Sequence, residues 1–344
     1  MNTHKIRFMN RAFELAQLGL GSVSPNPMVG CVIVHNNQII GEGWHKKYGG
    51  PHAEVNAINS VENKSILSES TAYVSLEPCA HQGKTPPCAD LLIEHKLKRV
   101  VISNKDPFPL VNGGGIKKLE NENIEVETDL LDKKGREINK RFFTLIEKKR
   151  PYIILKWAQT VDGFIARENF DSKWISNEYS RKLVHKWRSE EDAILVGTNT
   201  AEYDNPTLNV RDWEGRDPIR LVIDKQLKLD TGLNLFDGSI PTICYNSLQD
   251  GESENLIFKK VDDENLIEAI LSDLYARKIQ SLIVEGGSQL LNSFIEKNLW
   301  DEARIFSSKK IFVNGIEAPK IAGQLVSSED LKGDRLQVYK KINS

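Results

Sequence analysis

The sequence predicts an α/β protein with two domains. The chain has 344 residues, which is long for a single domain and suits two domains that each bury their own core. Short apolar segments typical of buried strands alternate along it with helical stretches, the order expected of α/β architecture. With 40% hydrophobic and 27% charged residues, the composition is that of a globular protein. We place the boundary near residue 148, with a first domain over residues 1–147 and a second over residues 148–344.

The first half contains three predicted strands separated by helices. The strands are Met28–His35, Ala72–Leu76 and Arg99–Ser103. The helices are predicted at Thr3–Leu18, Pro51–Ser60 and Cys88–His95. A charged stretch from Asp132 to Arg150 follows, and we expect it to form one helix that closes the first domain.

A second series of strands begins at Pro151. Its predicted strands are Tyr152–Trp157, Ala193–Gly197, Ile219–Asp224, Pro241–Tyr245, Ser281–Glu285 and Glu302–Ile311. Its predicted helices are Ser176–Glu190, Asn265–Arg277 and Gln289–Lys297. The segment Gln249–Asn255 is wholly polar and is expected to be a surface excursion.

The net charge and the number of cysteines restrict the binding partners and the cellular location that can be expected for this chain. The net charge of -2 argues against a general nucleic-acid binder, which would usually be basic. No apolar run approaches the roughly 20 residues of a membrane helix, and residues 1–20 lack the apolar centre of a signal peptide. Four cysteines are too few for a disulfide framework in this chain, which indicates reduced thiols and a cytoplasmic protein. The expected partners are a small-molecule substrate and further copies of the chain, with no nucleic acid and no membrane.

Three short motifs in the first half predict a catalytic zinc site. They are Pro51-His52-Ala53-Glu54, Glu77-Pro78-Cys79 and Pro86-Pro87-Cys88. One imidazole and two thiolates leave the fourth tetrahedral position of zinc open for water, whereas a structural zinc usually has four protein ligands. The spare carboxylate of Glu54 can carry protons, which is its role in the H-x-E…P-C signature of zinc deaminases.

The prolines before the ligands explain how these residues can converge. Residues two apart do not share a face in the middle of a helix, so His52 and Glu54 are expected in a first turn, and Pro51 marks such a start. Cys88 also follows a proline and opens a helical pattern, and a helix N-terminus favours the thiolate that binds zinc. The remaining cysteines, Cys31 and Cys244, are predicted to be small core residues.

Three longer stretches surround the predicted zinc ligands: Ser24–Cys31, Gly41–His45 and Cys79–Cys88. In these stretches the first half resembles the deaminase half of the bifunctional riboflavin-biosynthesis deaminase/reductase family. Zinc deaminases usually space their cysteines as C-x-x-C, but this family has a His-x-Gly-Lys/Arg-Thr-Pro-Pro segment between them, and residues 81–87 retain it. Asp106–Pro109 resembles the family's Asp-Pro-Asn-Pro, with Phe108 where asparagine is common.

The second half resembles the reductase domain of the same family. The matching stretches are Arg150–Tyr152, Lys156–Gly163, Ser172–Ser176, Ala193–Gly197, Asp204–Arg211, Pro218–Asp224 and Ile283–Gly287. The resemblance implies a cytidine-deaminase-like α/β/α domain followed by a dihydrofolate-reductase-like α/β domain. It also implies two reactions on one phosphorylated aminopyrimidine riboside: zinc-dependent deamination, then NADPH-dependent reduction of the ribosyl group to the ribityl group.

The resemblance also implies roles for individual residues. His52, Cys79 and Cys88 would hold zinc, and Glu54 would shuttle protons. The positions implied to contact NADP are Ala158, Trp174, Thr200, Asp204 and Gly287. The positions implied to contact substrate are Ser172, Arg188, Leu208, Arg211 and Glu285. Guanidinium groups suit a ribose phosphate, which makes the two arginines chemically reasonable.

Without the resemblance, the second half indicates its cofactor only weakly. The chain has no G-x-G-x-x-G, so an ordinary Rossmann dinucleotide site is not indicated. Glu285-Gly286-Gly287, between an apolar strand and a helix, fits a turn that cradles phosphate at a helix N-terminus. A plain turn at the start of a helix fits the same residues.

Two other functions are compatible with part of the motif set. A nucleic-acid base deaminase of the tRNA-editing type predicts C-x-x-C and a basic second half, and the sequence has neither. A non-catalytic zinc-stabilised module would need a fourth protein ligand, for which His45 and His81 are candidates. Turnover distinguishes that module from an enzyme.

Overall fold

The computed structural model describes residues 2–80, 86–108 and 111–342. The chain divides into two compact units, Met1–Lys149 and Arg150–Ser344. No helix within the described ranges is both long enough and apolar enough to cross a membrane.

The first unit is built on a five-stranded mixed sheet in the order β2-β1-β3-β4-β5. Its strands are β1 (Gly30–His35), β2 (Gln38–Trp44), β3 (Thr71–Leu76), β4 (Arg99–Asn104) and β5 (Glu125–Glu127). β1 pairs antiparallel with β2 and β3, whereas β3, β4 and β5 run parallel. Because parallel strands end at the same edge, the turns after β3 and β4 lie side by side.

Helices cover both faces of this sheet and form an α/β/α sandwich. They are α1 (Asn2–Gln17), α2 (Ala53–Asn59), α3 (Cys88–Glu94), α4 (Gly114–Asn121), α5 (Asp132–Ile138) and α6 (Lys140–Lys148), with a 3-10 turn at Lys64–Glu69. Apolar residues of α2, α3 and α4 pack on one face of the sheet, and those of α1 and α5 pack on the other. Strand alternation accounts for this division, since Ile33 lies in the first core and Val32 in the second.

The single helix predicted from Asp132 to Arg150 was wrong, because the chain breaks at Asn139 into α5 and α6. The Asn139 side chain is buried and bonds both backbone groups of Met28, accepting from its N–H and donating to its carbonyl, each at 2.8 Å. A distant segment therefore determines the break, and the local helical pattern does not contain that information.

The second unit is built on a ten-stranded sheet in the order β11-β12-β10-β9-β8-β13-β6-β14-β17-β16. Its central strands are parallel, and an antiparallel strand or pair lies at each edge. The strands are β6 (Tyr152–Gln159), β8 (Ala193–Val196), β9 (Ile219–Ile223), β10 (Thr242–Asn246), β11 (Gly251–Ser253), β12 (Leu256–Lys260), β13 (Ser281–Val284), β14 (Glu302–Ser307), β16 (Gln324–Leu331) and β17 (Asp334–Lys340). A separate two-stranded sheet pairs β7 (Phe164–Ala166) with β15 (Ile316–Glu317).

Four helices pack on the large sheet, two on each face. They are α7 (Glu178–Glu190), α8 (Thr198–Asp204), α9 (Leu266–Ala276) and α10 (Ser288–Glu296), and a 3-10 turn spans Asn234–Phe236. α9 and α10 share one apolar core with the sheet, whereas α7 and α8 share the other. This arrangement is the α/β class predicted from the sequence.

Two predictions for the second half differ from the structure. The polar segment Gln249–Asn255 lies at the surface, as predicted, but part of it forms the edge strand β11, which pairs with β12 through its backbone. The strand predicted over Glu302–Ile311 ends at Ser307, where its pairing with β6 and β17 ends. The apolar Ile311 beyond that point is exposed.

Candidate active sites

Three side chains that could bind a metal ion meet beside the end of β3. The Nδ1 atom of His52 lies 3.2 Å from Sγ of Cys88 and 3.6 Å from Sγ of Cys79. The ligand atoms of all three residues lie within 4.8 Å of one another. One nitrogen and two sulfurs at these separations fit the donor set of a zinc ion with one open position.

The helix starts predicted from the prolines place two of these ligands. His52 is the extended N-cap of α2, and Cys88 is the first residue of α3, directly after the extended Pro87. The loop that carries Cys79 is held against α3, because Cys88 N–H donates to Cys79 Sγ at 3.3 Å and Ala89 N–H donates to its carbonyl at 3.1 Å. These two backbone contacts fix the position of Cys79 relative to Cys88 at the start of α3.

The electrostatics of the group favour a thiolate at Cys79. A hydrogen bond from the Cys88 thiol, together with His52, outweighs burial and lowers the pKa of Cys79 to about 4. The thiolate is the form that binds zinc.

Glu54 lies in the first turn of α2, two residues after His52, and its side chain is only 3% exposed. Burial raises the pKa of this carboxyl, and the negative charge of Cys79 raises it further. The metal-binding group formed by the described residues does not include Glu54. A raised pKa makes this carboxyl a better proton acceptor than a solvent-exposed glutamate, which suits a residue that carries protons.

His45 is fully engaged elsewhere and is not a fourth ligand in this arrangement. Its Nδ1 lies 3.0 Å from the carbonyl of Pro51, and its Nε2 lies 3.0 Å from the side-chain nitrogen of Asn26. Its ring meets the His52 ring edge-on, with centroids 5.4 Å apart. His45 and Asn26 thus support His52, the predicted metal ligand, a role that their motifs alone did not reveal. His81, the other candidate, lies outside the described residues.

Asp106 and Phe108 occupy the neighbouring turn, after β4. Burial raises the pKa of Asp106 to about 7, and the charges of Glu77 and Cys79 contribute to the rise. The half-buried Phe108 packs against the apolar cluster of Leu76, Phe142 and Phe143. In this chain the position where the family commonly has asparagine is therefore used for apolar packing.

The second unit contains a cavity of about 1190 Å³ above the carboxyl ends of its central strands. All ten positions implied by the resemblance line this cavity: Ala158, Ser172, Trp174, Arg188, Thr200, Asp204, Leu208, Arg211, Glu285 and Gly287. Which of them contacts cofactor and which contacts substrate stays a prediction. A cavity of this size can hold a dinucleotide together with a small substrate.

One side of the cavity suits a dinucleotide phosphate. Gly287 has φ +63° and is the N-cap of α10, so the unpaired N–H groups of that helix start lie at the cavity wall. A Cβ on Gly286 would lie 2.9 Å from Oγ1 of Thr200, which explains why a glycine is needed there. The hydroxyl of Ser172 donates to the carboxylate of Asp204 at 3.0 Å. This hydrogen bond joins the loop before α7 to the end of α8.

The other side holds a charged cluster around Glu285. Arg188 donates to both carboxylate oxygens, at 3.3 and 2.9 Å, and Nζ of Lys156 lies 3.6 Å away. Burial alone would raise the pKa of Glu285, but Arg188 and Lys156 outweigh it and hold that pKa at about 2. Burial lowers the pKa of Lys156, and Glu285 opposes this shift.

Lys156 is the cavity residue that the sequence reasoning missed. It lies on β6 within a matched stretch, but nothing in its spacing distinguishes a buried ammonium from a solvated one. The available signal was that Lys156 is the one charged residue within the otherwise buried, apolar segment Tyr152–Trp157.

Two protein-family models match the chain, one in each half. The model described as the cytidine and deoxycytidylate deaminase zinc-binding region matches residues 2–104, and the RibD C-terminal domain matches residues 151–338. The first model includes the three predicted zinc ligands, and the second includes all ten cavity positions.

Similar proteins and structures cover nearly the whole chain. The riboflavin biosynthesis protein RibD of Aquifex aeolicus is 40% identical over 315 residues, which cover 90% of this chain and 88% of that protein. RibD of Actinobacillus pleuropneumoniae is 39% identical, with coverage of 96% and 88%. The crystal structure of a diaminohydroxyphosphoribosylaminopyrimidine deaminase/5-amino-6-(5-phosphoribosylamino)uracil reductase from Thermotoga maritima is 38% identical, with a TM-score of 0.90 and coverage of 98% and 99%. The chain belongs to the RibD family, and it is a bifunctional enzyme of riboflavin biosynthesis with a zinc-dependent deaminase domain followed by an NADPH-dependent reductase domain.

Proposed function

We propose that this chain deaminates 2,5-diamino-6-(ribosylamino)-4(3H)-pyrimidinone 5'-phosphate and then reduces the ribosyl group of the product to a ribityl group. The observation that carries the proposal is the coexistence of two separate reactive sites, one in each unit. His52, Cys79 and Cys88 form the first, and the cavity around Lys156 and Glu285 forms the second. The alternative of a nucleic-acid base deaminase is not favoured by the family matches.

In the deaminase site, His52, Cys79 and Cys88 hold zinc, and Glu54 moves protons. Bound zinc supplies a hydroxide nucleophile near neutral pH. Glu54 takes the proton of the attacking water and gives it to the ring nitrogen next to the attacked carbon. It then assists the transfer of a proton to the departing amine, so that ammonia leaves. Burial of Glu54 suits the acceptance of the proton, because burial raises the pKa of the carboxyl and so makes it a stronger base.

In the reductase site, the chain must orient the sugar and protonate its ring oxygen. Bound NADPH supplies a hydride to the first ribose carbon. The bond between that carbon and the ring oxygen breaks, and the oxygen needs a proton. We assign this proton to the ammonium group of Lys156, which Glu285 holds inside the cavity. Arg188 and Arg211 offer guanidinium groups to the ribose phosphate.

Selective removal of zinc tests the separation of the two sites. Because all the proposed ligands lie in the first unit, chelation should abolish ammonia release. Oxidation of NADPH on the already deaminated intermediate should continue at its original rate, because the second cavity needs no metal. Restored zinc should restore ammonia release. Equal loss of both activities on chelation would contradict separate sites.

We also propose that the chain works as a homo-oligomer in the cytoplasm. The four free cysteines and the use of thiolates as ligands suit a reducing compartment. The strand β16 lies at an edge of the large sheet and carries the exposed apolar residues Leu325 and Val326, which a second copy could cover. Light scattering on the purified protein would give the mass of the assembly, and a monomeric mass at micromolar concentration would contradict the oligomer.

A further inference from the structure

Glu77 is a buried carboxylate that the proposed deaminase chemistry does not use. It directly follows β3, its side chain is 4% exposed, and its N–H donates to the carbonyl of Asn104 at 2.9 Å. None of the ion pairs among the described residues involves it. A buried carboxylate without a cationic partner needs strong hydrogen-bond donors.

Four backbone N–H groups satisfy this carboxylate. Oε1 accepts from Gly115 at 3.0 Å and from Ile116 at 3.3 Å. Oε2 accepts from Asp106 at 3.2 Å and from Gly113 at 3.1 Å. These donors belong to two segments, the turn after β4 and the start of α4, so one side chain joins both segments to the end of β3.

The start of α4 is built to receive this carboxylate. Its N-cap, Gly113, has φ +83° and no side chain that could cap the helix. Glu77 supplies the missing cap from another part of the chain, and its negative charge is favourable at a helix N-terminus. A Cβ on Gly115 would lie only 1.9 Å from the carbonyl oxygen of Pro78, so the helix start lies directly against the Glu77–Pro78 backbone.

The contacts of Glu77 hold two segments of the proposed deaminase site in place, the one that carries Cys79 and the turn that begins at Asp106. Cys79 directly follows Pro78, which lies against the start of α4, and the Cys79 carbonyl accepts from the N–H of Ala89 in α3. The ligand is therefore held between the starts of α4 and α3. Asp106, whose N–H bonds to Glu77, begins the turn that lies beside Cys79, because β3 and β4 are parallel. Beyond the β3–β4 pairing, the Glu77 carboxylate is therefore the side chain that joins the segment of the metal ligand to the Asp106 turn.

We propose that Glu77 is a positioning residue of the deaminase site, which fixes Cys79 and the Asp106 turn relative to each other through the start of α4. The proposal rests on the proposed deaminase function. Glu77 neither binds zinc nor transfers a proton in it. Outer contacts that orient metal ligands typically contribute about 10- to 100-fold in metal affinity or activity.

Glu77→Gln tests this role, with Glu125→Gln as the matched control. The amide keeps the size of the side chain, but its NH₂ faces two N–H donors, so two of the four hydrogen bonds are lost. Glu125 lies on the same sheet, is half-exposed and pairs with Arg99. We expect Glu77→Gln to raise the zinc dissociation constant about 10- to 100-fold in a chelator competition. We also expect it to change the thiolate-to-cobalt absorption bands of the cobalt-substituted protein, and Glu125→Gln to change neither.

Deaminase kinetics and hydrogen exchange complete the test. The turnover number of Glu77→Gln should fall, while NADPH oxidation by the same preparation stays at the level of the unmodified protein. In the unmodified protein, zinc removal should speed amide exchange at the start of α4, which keeps the proposal testable if the variant folds poorly. A variant with the original cobalt spectrum and zinc affinity would overturn the proposal, as would unchanged exchange at α4. An unmodified protein that binds no cobalt through thiolates would instead overturn the zinc site itself.

Discussion

His52 and Glu54 lie two positions apart at one helix start, but the proposed mechanism gives them different tasks. His52 offers a nitrogen to the metal, 3.2 and 3.6 Å from the two sulfurs. Glu54 is buried beside that group and carries protons. Substitution can separate these tasks because each replacement removes only one of them.

For Glu54→Gln, we expect zinc content to stay near that of the unmodified protein while deamination collapses. The amide keeps the size of the carboxyl but cannot accept and return a proton. Acid–base groups typically contribute about 10²- to 10⁴-fold, and Glu54 serves several transfers, so the upper part of that range is expected. His52→Ala should lose both metal and deamination. Metal analysis with an ammonia assay checks both variants, and near-original deamination by Glu54→Gln would refute the shuttle.

Lys156 and Glu285 make the reductase reaction dependent on pH. In the proposed reduction the ammonium form of Lys156 donates the proton, so turnover should fall as pH rises through the pKa of Lys156, which burial places below 10.5. Glu285 raises that pKa, so Glu285→Gln should move the alkaline fall in turnover to lower pH. The turnover number for NADPH oxidation, measured on the deaminated substrate from neutral to alkaline pH, gives the shift. If turnover falls at the same alkaline pH in the unmodified protein and in Glu285→Gln, then Glu285 does not control the pKa of Lys156. Lys156→Met should remove this fall in turnover at alkaline pH.

At the scale of the elements, the break between α5 and α6 shows a tertiary contact overriding the local sequence pattern, which favours one continuous helix. Residues 132–150 have a charged, helical pattern, but Asn139 leaves the helix to bond both backbone groups of Met28. Met28 follows the loop that carries Asn26, which in turn contacts His45. The helix break thus supports the loop next to the metal-binding histidine.

Asn139→Ala should destabilise the first unit by about 2 to 4 kcal/mol, because it leaves a buried N–H and a buried carbonyl without partners. Calorimetry would identify the transition of this unit as the one that moves when zinc is removed. Its midpoint should fall by on the order of 10 °C. The exposed Asn121 at the end of α4 provides the control, since Asn121→Ala removes the same chemical group without burying unpaired atoms. Equal midpoints for the two variants would contradict the role of Asn139.

The sequence predicted those elements whose pattern is local. The helix starts at His52 and Cys88 could be read from the prolines before them, and the three ligands do converge. The strand β11 could not be predicted, because its polar residues pair only through the backbone with β12. Lys156 and Glu77 were missed for a related reason: burial and the partners of a charge depend on tertiary contacts that spacing does not encode.

At the scale of the whole molecule, we propose that one chain performs two consecutive reactions, each in its own unit. The zinc ligands and Glu54 lie in Met1–Lys149, whereas Lys156, Glu285 and the large cavity lie in Arg150–Ser344. The family matches have the same division and the same order along the chain. The deaminated pyrimidine should therefore be a free product of the first unit whenever the second unit lacks its reductant.

Incubation of the zinc-loaded protein with the diaminopyrimidine ribose phosphate, with and without NADPH, tests this claim most directly. Mass spectrometry would identify the products, and ammonia and NADPH would be measured in the same samples. Without NADPH, we expect the deaminated ribosyl compound and an equal amount of ammonia. With NADPH, we expect the ribityl compound, with one NADPH oxidised for each ammonia released. Oxidation of NADPH on the diamino compound without ammonia release, or no change in the compound under either condition, would contradict the account.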